Sequence, residues 1–269
     1  MISNAVLTDI VRRIEEALDS AAQAVSGFIP GAVKADFKPG QDPVTDADRV
    51  ANRVLREILV RDGEGWLSEE SADDLERLRR ERVWVVDPLD GTREFVQGIP
   101  EWCVSIALIE HGQAVAGGVL NPATGEKILG ARGSGVTYNG VPARASEKRS
   151  LAGALVLASR SEVKRGEWKR FEGGPFAIRA LGSVAYKLAL VAAGKADATW
   201  TLVPKHEWDV AAGAALVGAG GGFVRRLDSA PSTFNNPSPK LSGLVAGAAN
   251  LRDEIDSLLD GYFRSPTPG

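Results

Sequence analysis

The stretch Val83-Trp84-Val85-Val86-Asp87-Pro88-Leu89-Asp90-Gly91-Thr92-Arg93-Glu94-Phe95 constrains this chain more than any other. Its first four residues are apolar and mostly β-branched, and they follow the charged segment 79–82. That pattern predicts a buried strand. Pro88 has no N–H to give to a sheet ladder, so the strand is expected to stop at Asp87. Asp90 and Gly91 are turn residues. Two carboxylates three positions apart therefore stand at a strand end. Side chains so placed repel each other unless a cation lies between them, and hard divalent cations such as Mg²⁺ prefer oxygen ligands. Gly91 allows a close backbone approach, and Thr92 adds a hydroxyl beside it. Read alone, Asp87 and Asp90 are more often ordinary turn formers than metal ligands. Other segments of the chain have to decide between these readings.

Upstream, apolar residues recur at helical spacing over 7–25. Lys38, expected to be solvated, and the turn-rich segment 39–43 follow. Val44-Thr45-Asp46-Ala47-Asp48 then opens a second amphipathic helix. Thr45 suits the N-cap and Asp48 the third helical position of a capping box, which explains both residues without any catalysis. A carboxylate fixed there could also orient a neighbouring hydroxyl. Trp66-Leu67 reads as a short strand ending on Ser68-Glu69-Glu70. The acidic pair either prefaces a helix from Asp73 or lends a third carboxylate to the Asp87/Asp90 site. After Phe95, alternating strands and turns through Tyr138-Asn139-Gly140 describe an antiparallel meander. His111 falls at one of its turns and is expected to be exposed and idle.

From about residue 151 the rhythm changes to alternating strand and helix, with a helix expected over 162–171. Gly182-Ser183 leads tightly into the next helix. It is either an ordinary cap or a source of backbone N–H groups for an anion. Glu207-Trp208-Asp209 begins a helix of small residues, where the helix dipole favours the Asp209 carboxylate. The glycine run 218–222 lacks the lysine and hydroxyl of a phosphate-binding loop, so it reads as a helix stop. Asn250 is expected to cap a final helix over 251–262, ahead of a frayed tail from 264.

Composition narrows the field. With a net charge of −3, the 269-residue chain offers no basic footprint for a nucleic-acid polymer. It has no apolar run long enough for a membrane span, and its start does not resemble a secretion signal. A cytoplasmic location is expected. Cys103 is the single cysteine, and His111 and His206 are the only histidines, which excludes a thiolate or histidine-rich metal centre.

Taken together, Val44-Thr45-Asp46-Ala47-Asp48, Glu69-Glu70, Asp87-Pro88-Leu89-Asp90-Gly91-Thr92 and Trp208-Asp209 resemble the inositol monophosphatase superfamily in order and spacing. The resemblance runs from the first helix to the last strand. It implies a Mg²⁺-dependent, often lithium-sensitive phosphatase of small phosphate monoesters. The implied fold is the α+β, layered α-β-α-β-α sandwich of the inositol monophosphatase/fructose bisphosphatase type, with a homodimer among the expected assemblies. An N-terminal α+β half (1–148) would carry most metal ligands, and a C-terminal α/β half (149–269) would supply Asp209 and substrate contacts. Ser68, Leu89 and Arg93-Glu94-Phe95 look most like the 3'(2'),5'-bisphosphate nucleotidase branch. Leu202 stands where inositol monophosphatases usually carry a sugar-contacting glutamate, seven residues before the aspartate of the tryptophan-aspartate pair. The segment Lys205-His206-Glu207 matches neither branch, and His206 is either a substrate contact or an exposed loop residue.

Carried over position by position, the resemblance assigns a first Mg²⁺ to Glu69, Asp87 and the Leu89 carbonyl. A second falls to Asp87, Asp90 and Asp209, and a weaker third would be shared by Glu69 and Asp48. Thr92, oriented by Asp48, would position and help deprotonate the attacking water. N–H groups of Gly91 and Thr92 would cradle the phosphate, with Gly182, Ser183 and Asp209 as further substrate contacts. Adenosine 3',5'-bisphosphate is then the first expected substrate. Inositol phosphate or fructose 1,6-bisphosphate is the alternative on the same site. A catalytically silent sensor of small molecules and a dinucleotide-binding oxidoreductase are the rivals from other classes.

Overall fold

The structure is a computed structural model and describes residues 4–37, 43–228 and 232–264. Lys38, the turn at 39–42 and the tail from 265 lie outside these residues. Helix α1 (Asn4–Val25) is followed by a two-strand hairpin, β1 (Asp36–Phe37) and β2 (Pro43–Val44), and by α2 (Asp46–Leu59). Seven strands then build one sheet in chain order: β3 (Gly65–Ser68), β4 (Arg82–Asp90), β5 (Cys103–Glu110), β6 (Gln113–Asn121), β7 (Glu126–Ala131), β8 (Gly135–Tyr138) and β9 (Val141–Ala143). Only the β3–β4 pair is parallel; the others form the expected meander. The short helix α3 (Thr92–Val96) lies between β4 and β5.

In the second half come β10 (Leu155–Ser159), α4 (Arg160–Lys164), β11 (Ala177–Leu181), α5 (Val184–Ala192), β12 (Ala198–Thr201), β13 (Lys205–His206) and α6 (Glu207–Ala219). The strands β14 (Gly222–Arg226), β15 (Lys240–Leu241) and β16 (Leu244–Ala248) and the helix α7 (Arg252–Arg264) complete it. Five strands form a mixed sheet in the order β11-β10-β12-β16-β14, and β13 pairs with β15.

Strand β4 shows why the layers form. Trp84 and Val86 point to one face and pack with Ile14 and Leu18 of α1 and Leu55 of α2. Val83 and Val85 point to the other and meet α5 and α6. A strand buried on both faces is apolar at every position, as this one is through Val86. The five-stranded sheet covers the far side of α5 and α6, and its outer face packs on Trp168, Phe171 and α7. The result is the expected α-β-α-β-α sandwich. A β-carbon on Gly213 would lie 2.3 Å from Leu188, so only glycine lets α6 approach α5 this closely. No described helix is long and apolar enough to cross a membrane.

Four local expectations change. Strand β4 does not stop at Asp87; it continues to Asp90 through an irregularity in which Asp87 pairs with Ser105 and Asp90 with Cys103. Three steps on one strand oppose two on the other, and Pro88 sits in this bulge, where no ladder N–H is needed. No α-helix starts at Asp73. Its carboxylate, and that of Asp74, accept the N–H groups of Leu75 and Glu76, so only a 3₁₀ turn forms at Glu76–Arg79. The helix expected over 162–171 is broken into α4 and a 3₁₀ turn (Lys169–Phe171), because the chain takes a left-handed step at Gly166, φ +79°. Helix α7 is entered through a 3₁₀ turn (Ala249–Leu251) rather than through an Asn250 cap. Two other expectations hold. The 218–222 run separates α6 from β14, and His111 is exposed at its turn with φ +48°.

Candidate active site

Because β3 and β4 run parallel, their C-terminal ends reach the same sheet edge, where crevices in α/β sheets receive ligands. Glu69 follows the end of β3, and Asp87 and Asp90 occupy the end of β4. Helix α6 starts opposite them and brings Asp209. One carboxylate oxygen from each of Glu69, Asp87 and Asp209 lies within 4.8 Å of the others. Asp90 lines the same cavity but is turned toward the start of α5. Thr92, Gly91, Leu89, Gly182 and Ser183 line it as well. Asp48 stands behind Thr92. The φ of Gly91 is +101°, and a β-carbon there would meet Glu101 O at 2.8 Å, so this bend requires glycine.

Several of these carboxylates share one arrangement: the protein holds one oxygen by short donors. Asp87 Oδ1 accepts the Leu89 N–H at 3.0 Å. Asp90 Oδ2 accepts the Ser183 hydroxyl at 2.6 Å and the Ala185 N–H at 2.7 Å. Asp209 Oδ2 accepts the His206 N–H at 2.9 Å, and Asp48 Oδ2 accepts the N–H and hydroxyl of Thr45 at 2.8 and 2.6 Å. Three of these grips come from helix starts, so the capping explanation and the functional one coincide. Asp48 Oδ1 accepts the Thr92 hydroxyl at 2.9 Å; the same single proton has the Leu89 carbonyl at 3.0 Å as its other acceptor.

Electrostatics indicate what such a cluster suits. Burial, then the charges of Glu69, Asp90 and Asp209, raises the Asp87 carboxyl well above the ordinary range; its residue is 2% exposed. Burial with Asp90 and Glu69 pushes Asp209 up to about 8. Burial also raises Asp90 and Asp48 against the hydrogen bonds that hold their anions. The donors are all hard oxygens, and the one nearby thiol, Cys103, is held protonated by burial. This set fits a hard divalent cation and does not fit a soft one.

A stability test follows from the sign of these shifts. Carboxylates raised in the folded state bind protons that the unfolded chain has already lost, so stability present below pH 4 declines as pH rises toward 8. With chelator present, the melting temperature should fall between pH 5 and pH 8 by on the order of 3 °C or more, the effect of about 1 kcal/mol in a domain of this size. Millimolar Mg²⁺ should recover more at pH 8 than at pH 5. Carboxylates lowered by arginines, such as Asp9 and Asp73, act below this window. Thermal melts that are flat or rising over this range would remove the repulsion from the account.

Of the backbone donors expected to face an anion at Gly182 and Ser183, the one at Gly182 is committed elsewhere. The Gly182 N–H donates to Glu101 Oε2 at 2.7 Å, and the Ser183 hydroxyl holds Asp90. The anion that this helix start receives is thus a side chain of the protein itself. His206 is exposed, lines the cavity and stacks on Trp208 at 4.6 Å between ring centroids. Leu202 packs against the outer hydrophobic cluster with its side chain partly buried.

Sequence reasoning assigned no role to four contributors. Asn52, one helical turn after Asp48, accepts the Ser68 hydroxyl at 2.7 Å and donates to Ser71 Oγ at 3.1 Å, bracketing Glu69-Glu70. Arg160 and Lys205 stand on the cavity wall; Arg160 is bound through both Nε and Nη2 by Glu101. Lys187, 2% exposed, lines the cavity within reach of the Asp90 charge. A lone lysine inside the apolar run Val184–Ala192 was the signal available for it.

Residues 5–257 match the inositol monophosphatase family. The inositol-1-monophosphatase of Mesorhizobium japonicum is 37% identical over 223 residues, covering 80% of this chain and 83% of that protein. The fructose-1,6-bisphosphatase/inositol-1-monophosphatase of Thermotoga maritima is 35% identical over 196 residues, covering 71% and 73%. Among solved structures, an inositol monophosphatase from Thermotoga maritima superimposes with a TM-score of 0.79 at 28% identity, over 96% of this chain and 98% of that one.

Proposed function

The chain belongs to the inositol monophosphatase family, and from that premise we propose that it hydrolyses an inositol or sugar phosphate monoester with the help of divalent ions, Mg²⁺ first among them. The observation that carries this reading is the convergence of Glu69, Asp87 and Asp209 from three separate elements onto one cavity. Its named relatives act on inositol 1-phosphate and fructose 1,6-bisphosphate, by the names they bear.

Glu69, Asp87, Asp90 and Asp209, with the Leu89 carbonyl, would hold the ions. Such ions neutralise phosphoryl charge and lower the pKa of a water molecule. The remaining work belongs to side chains and backbone. Thr92 Oγ1 donates to Asp48 Oδ1 and keeps lone pairs with which to accept a proton from water in the cavity. A proton taken there passes to Asp48, whose basicity burial has raised. Thr92 is assigned to the water rather than to covalent attack on phosphorus, so the proposed hydrolysis is direct. The N–H groups of Gly91 and Thr92 are the proposed phosphate cradle.

A nucleoside 3',5'-bisphosphate is the second reading. Its support is specific. Leu202 offers no carboxylate to a sugar hydroxyl, and Arg160, Arg165 and Lys205 line the same cavity and offer cations to a second phosphate. Ser68 and Arg93-Glu94-Phe95 point the same way.

Turnover of inositol 1-phosphate, fructose 1,6-bisphosphate and adenosine 3',5'-bisphosphate, measured side by side with Mg²⁺, separates the two. The expected order places an inositol or sugar ester first by about tenfold or more in kcat/KM, roughly 1.4 kcal/mol of transition-state discrimination. The nucleotide in first place would overturn the primary reading. No metal-dependent release from any of the three would favour a silent sensor.

A further inference from the structure

Helix α5 is apolar throughout its buried length except at Lys187. This residue is 2% exposed at the wall of the cavity, and Asp90, Glu94 and Glu162 act on its ammonium only from a distance. Its hydrogen bonds run instead to two backbone carbonyls, Ser183 O at 2.7 Å and Leu181 O at 3.3 Å. These carbonyls flank Gly182, in a turn where Ser183 takes φ +54° and ψ 123°. That conformation is unfavourable for a residue with a β-carbon, so something must hold it. The Ser183 hydroxyl is fully used: it donates to Asp90 Oδ2 at 2.6 Å and accepts the Tyr186 N–H at 3.0 Å. Its contact with Cys103 Sγ at 3.3 Å must then be donated by the thiol. The Ala185 N–H completes the grip on the same oxygen of Asp90. Asp90 Oδ1 has no hydrogen-bond partner among the described residues, and Asp90 lines the cavity.

We infer that Lys187 is the positioning residue for Asp90: by gathering the Leu181 and Ser183 carbonyls it fixes the turn that clamps Asp90 Oδ2 and leaves Oδ1 to serve a cation. A buried lysine suits this because its three donors sit on a flexible stem and can meet carbonyls at different angles. A substitution there would not remove a ligand; it would loosen one. The inference rests on the proposed use of a divalent ion at Asp90 and is independent of which ester is the substrate.

Mn²⁺ alone, titrated into the metal-free 269-residue chain and followed by electron paramagnetic resonance, is the probe. Lys187→Met keeps the apolar stem and removes the donors, and it should weaken Mn²⁺ binding by about 10- to 100-fold, the usual effect of losing a partner behind a metal ligand. Lys187→Gln returns a donor without the charge and should bind within about threefold of the parent, while Ser183→Ala should lose as much as Lys187→Met. The double variant should be no worse than the poorer single, since both act through one carboxylate oxygen. Parent-like affinity in Lys187→Met overturns the inference. So does a Lys187→Gln protein as weak as Lys187→Met, which would make charge rather than the clamp decisive. Should Lys187→Met not fold, judged by circular dichroism, Ser183→Ala decides, and parent-like binding there overturns it. A parent that binds no Mn²⁺ would sink the metal reading as well. A parent that binds Mn²⁺ yet hydrolyses none of the three esters would sink only the substrate reading.

Discussion

Asp87→Asn should reduce metal-dependent phosphate release by about three orders of magnitude or more, some 4 kcal/mol of lost transition-state stabilisation, while making the metal-free protein more stable. Both halves of this expectation come from the same burial. Asp87 is the most enclosed carboxylate of the cluster, and its neighbours Glu69, Asp90 and Asp209 all disfavour its charge. Asparagine has nearly the same shape, and its carbonyl oxygen can still accept the Leu89 N–H that now binds Asp87 Oδ1. The bulge in β4 should therefore persist. What disappears is one negative charge, which repels its neighbours when no ion is present and attracts the ion when one is. At pH 8 with chelator, the melting temperature of the variant should rise by on the order of 3 °C, whereas a packing defect in β4 would lower it. Thermal melts in chelator, paired with phosphate release in Mg²⁺, measure both signs. Activity within tenfold of the parent would remove Asp87 from the centre of the site.

That pairing of signs also shows what could be read from residues alone. The carboxylates of Asp87, Asp90 and Asp209 were visible because turn and cap residues are conspicuous in sequence. Their alternation with apolar runs also set the two sheets and the order of layers. Local pattern could not show the β4 bulge, because Pro88 ends a strand in isolation and is tolerated only once β5 supplies a ladder one residue shorter. Nor could it show that the start of α5 is spent on Asp90. That contact joins residues 93 to 95 positions apart. Asn52 was hidden for a related reason. A polar residue on an amphipathic helix reads as solvated until the strand end carrying Ser68 is placed against it. The ligands were legible as residue types, whereas the groups that aim them were legible only as contacts.

Thr92→Val tests the step that follows metal binding, and it should lower kcat by about 10²- to 10⁴-fold, the range for removing a positioned acid–base group. Valine matches threonine in volume and branching, and Thr92 is only half-buried at the start of α3, so stability should change by less than about 1 kcal/mol. Metal affinity should hold, because the side chain donates to Asp48 and Leu89 rather than supplying a carboxylate. Thr92→Ser restores the hydroxyl and should recover activity to within about tenfold of the parent. Asp48→Asn is expected to be as damaging as Thr92→Val, and for two reasons. With its oxygen on the two Thr45 donors that now meet Oδ2, its amide turns an NH2 group toward Thr92 and offers that hydroxyl no acceptor, and it cannot take up a proton. If hydroxyl and carboxylate form one relay, the double variant should be hardly slower than Thr92→Val alone, as for groups that act as a unit. Losses that multiply instead would show Thr92 and Asp48 acting separately. A Thr92→Val enzyme with parental kcat would leave deprotonation of the water to the acidic cluster itself.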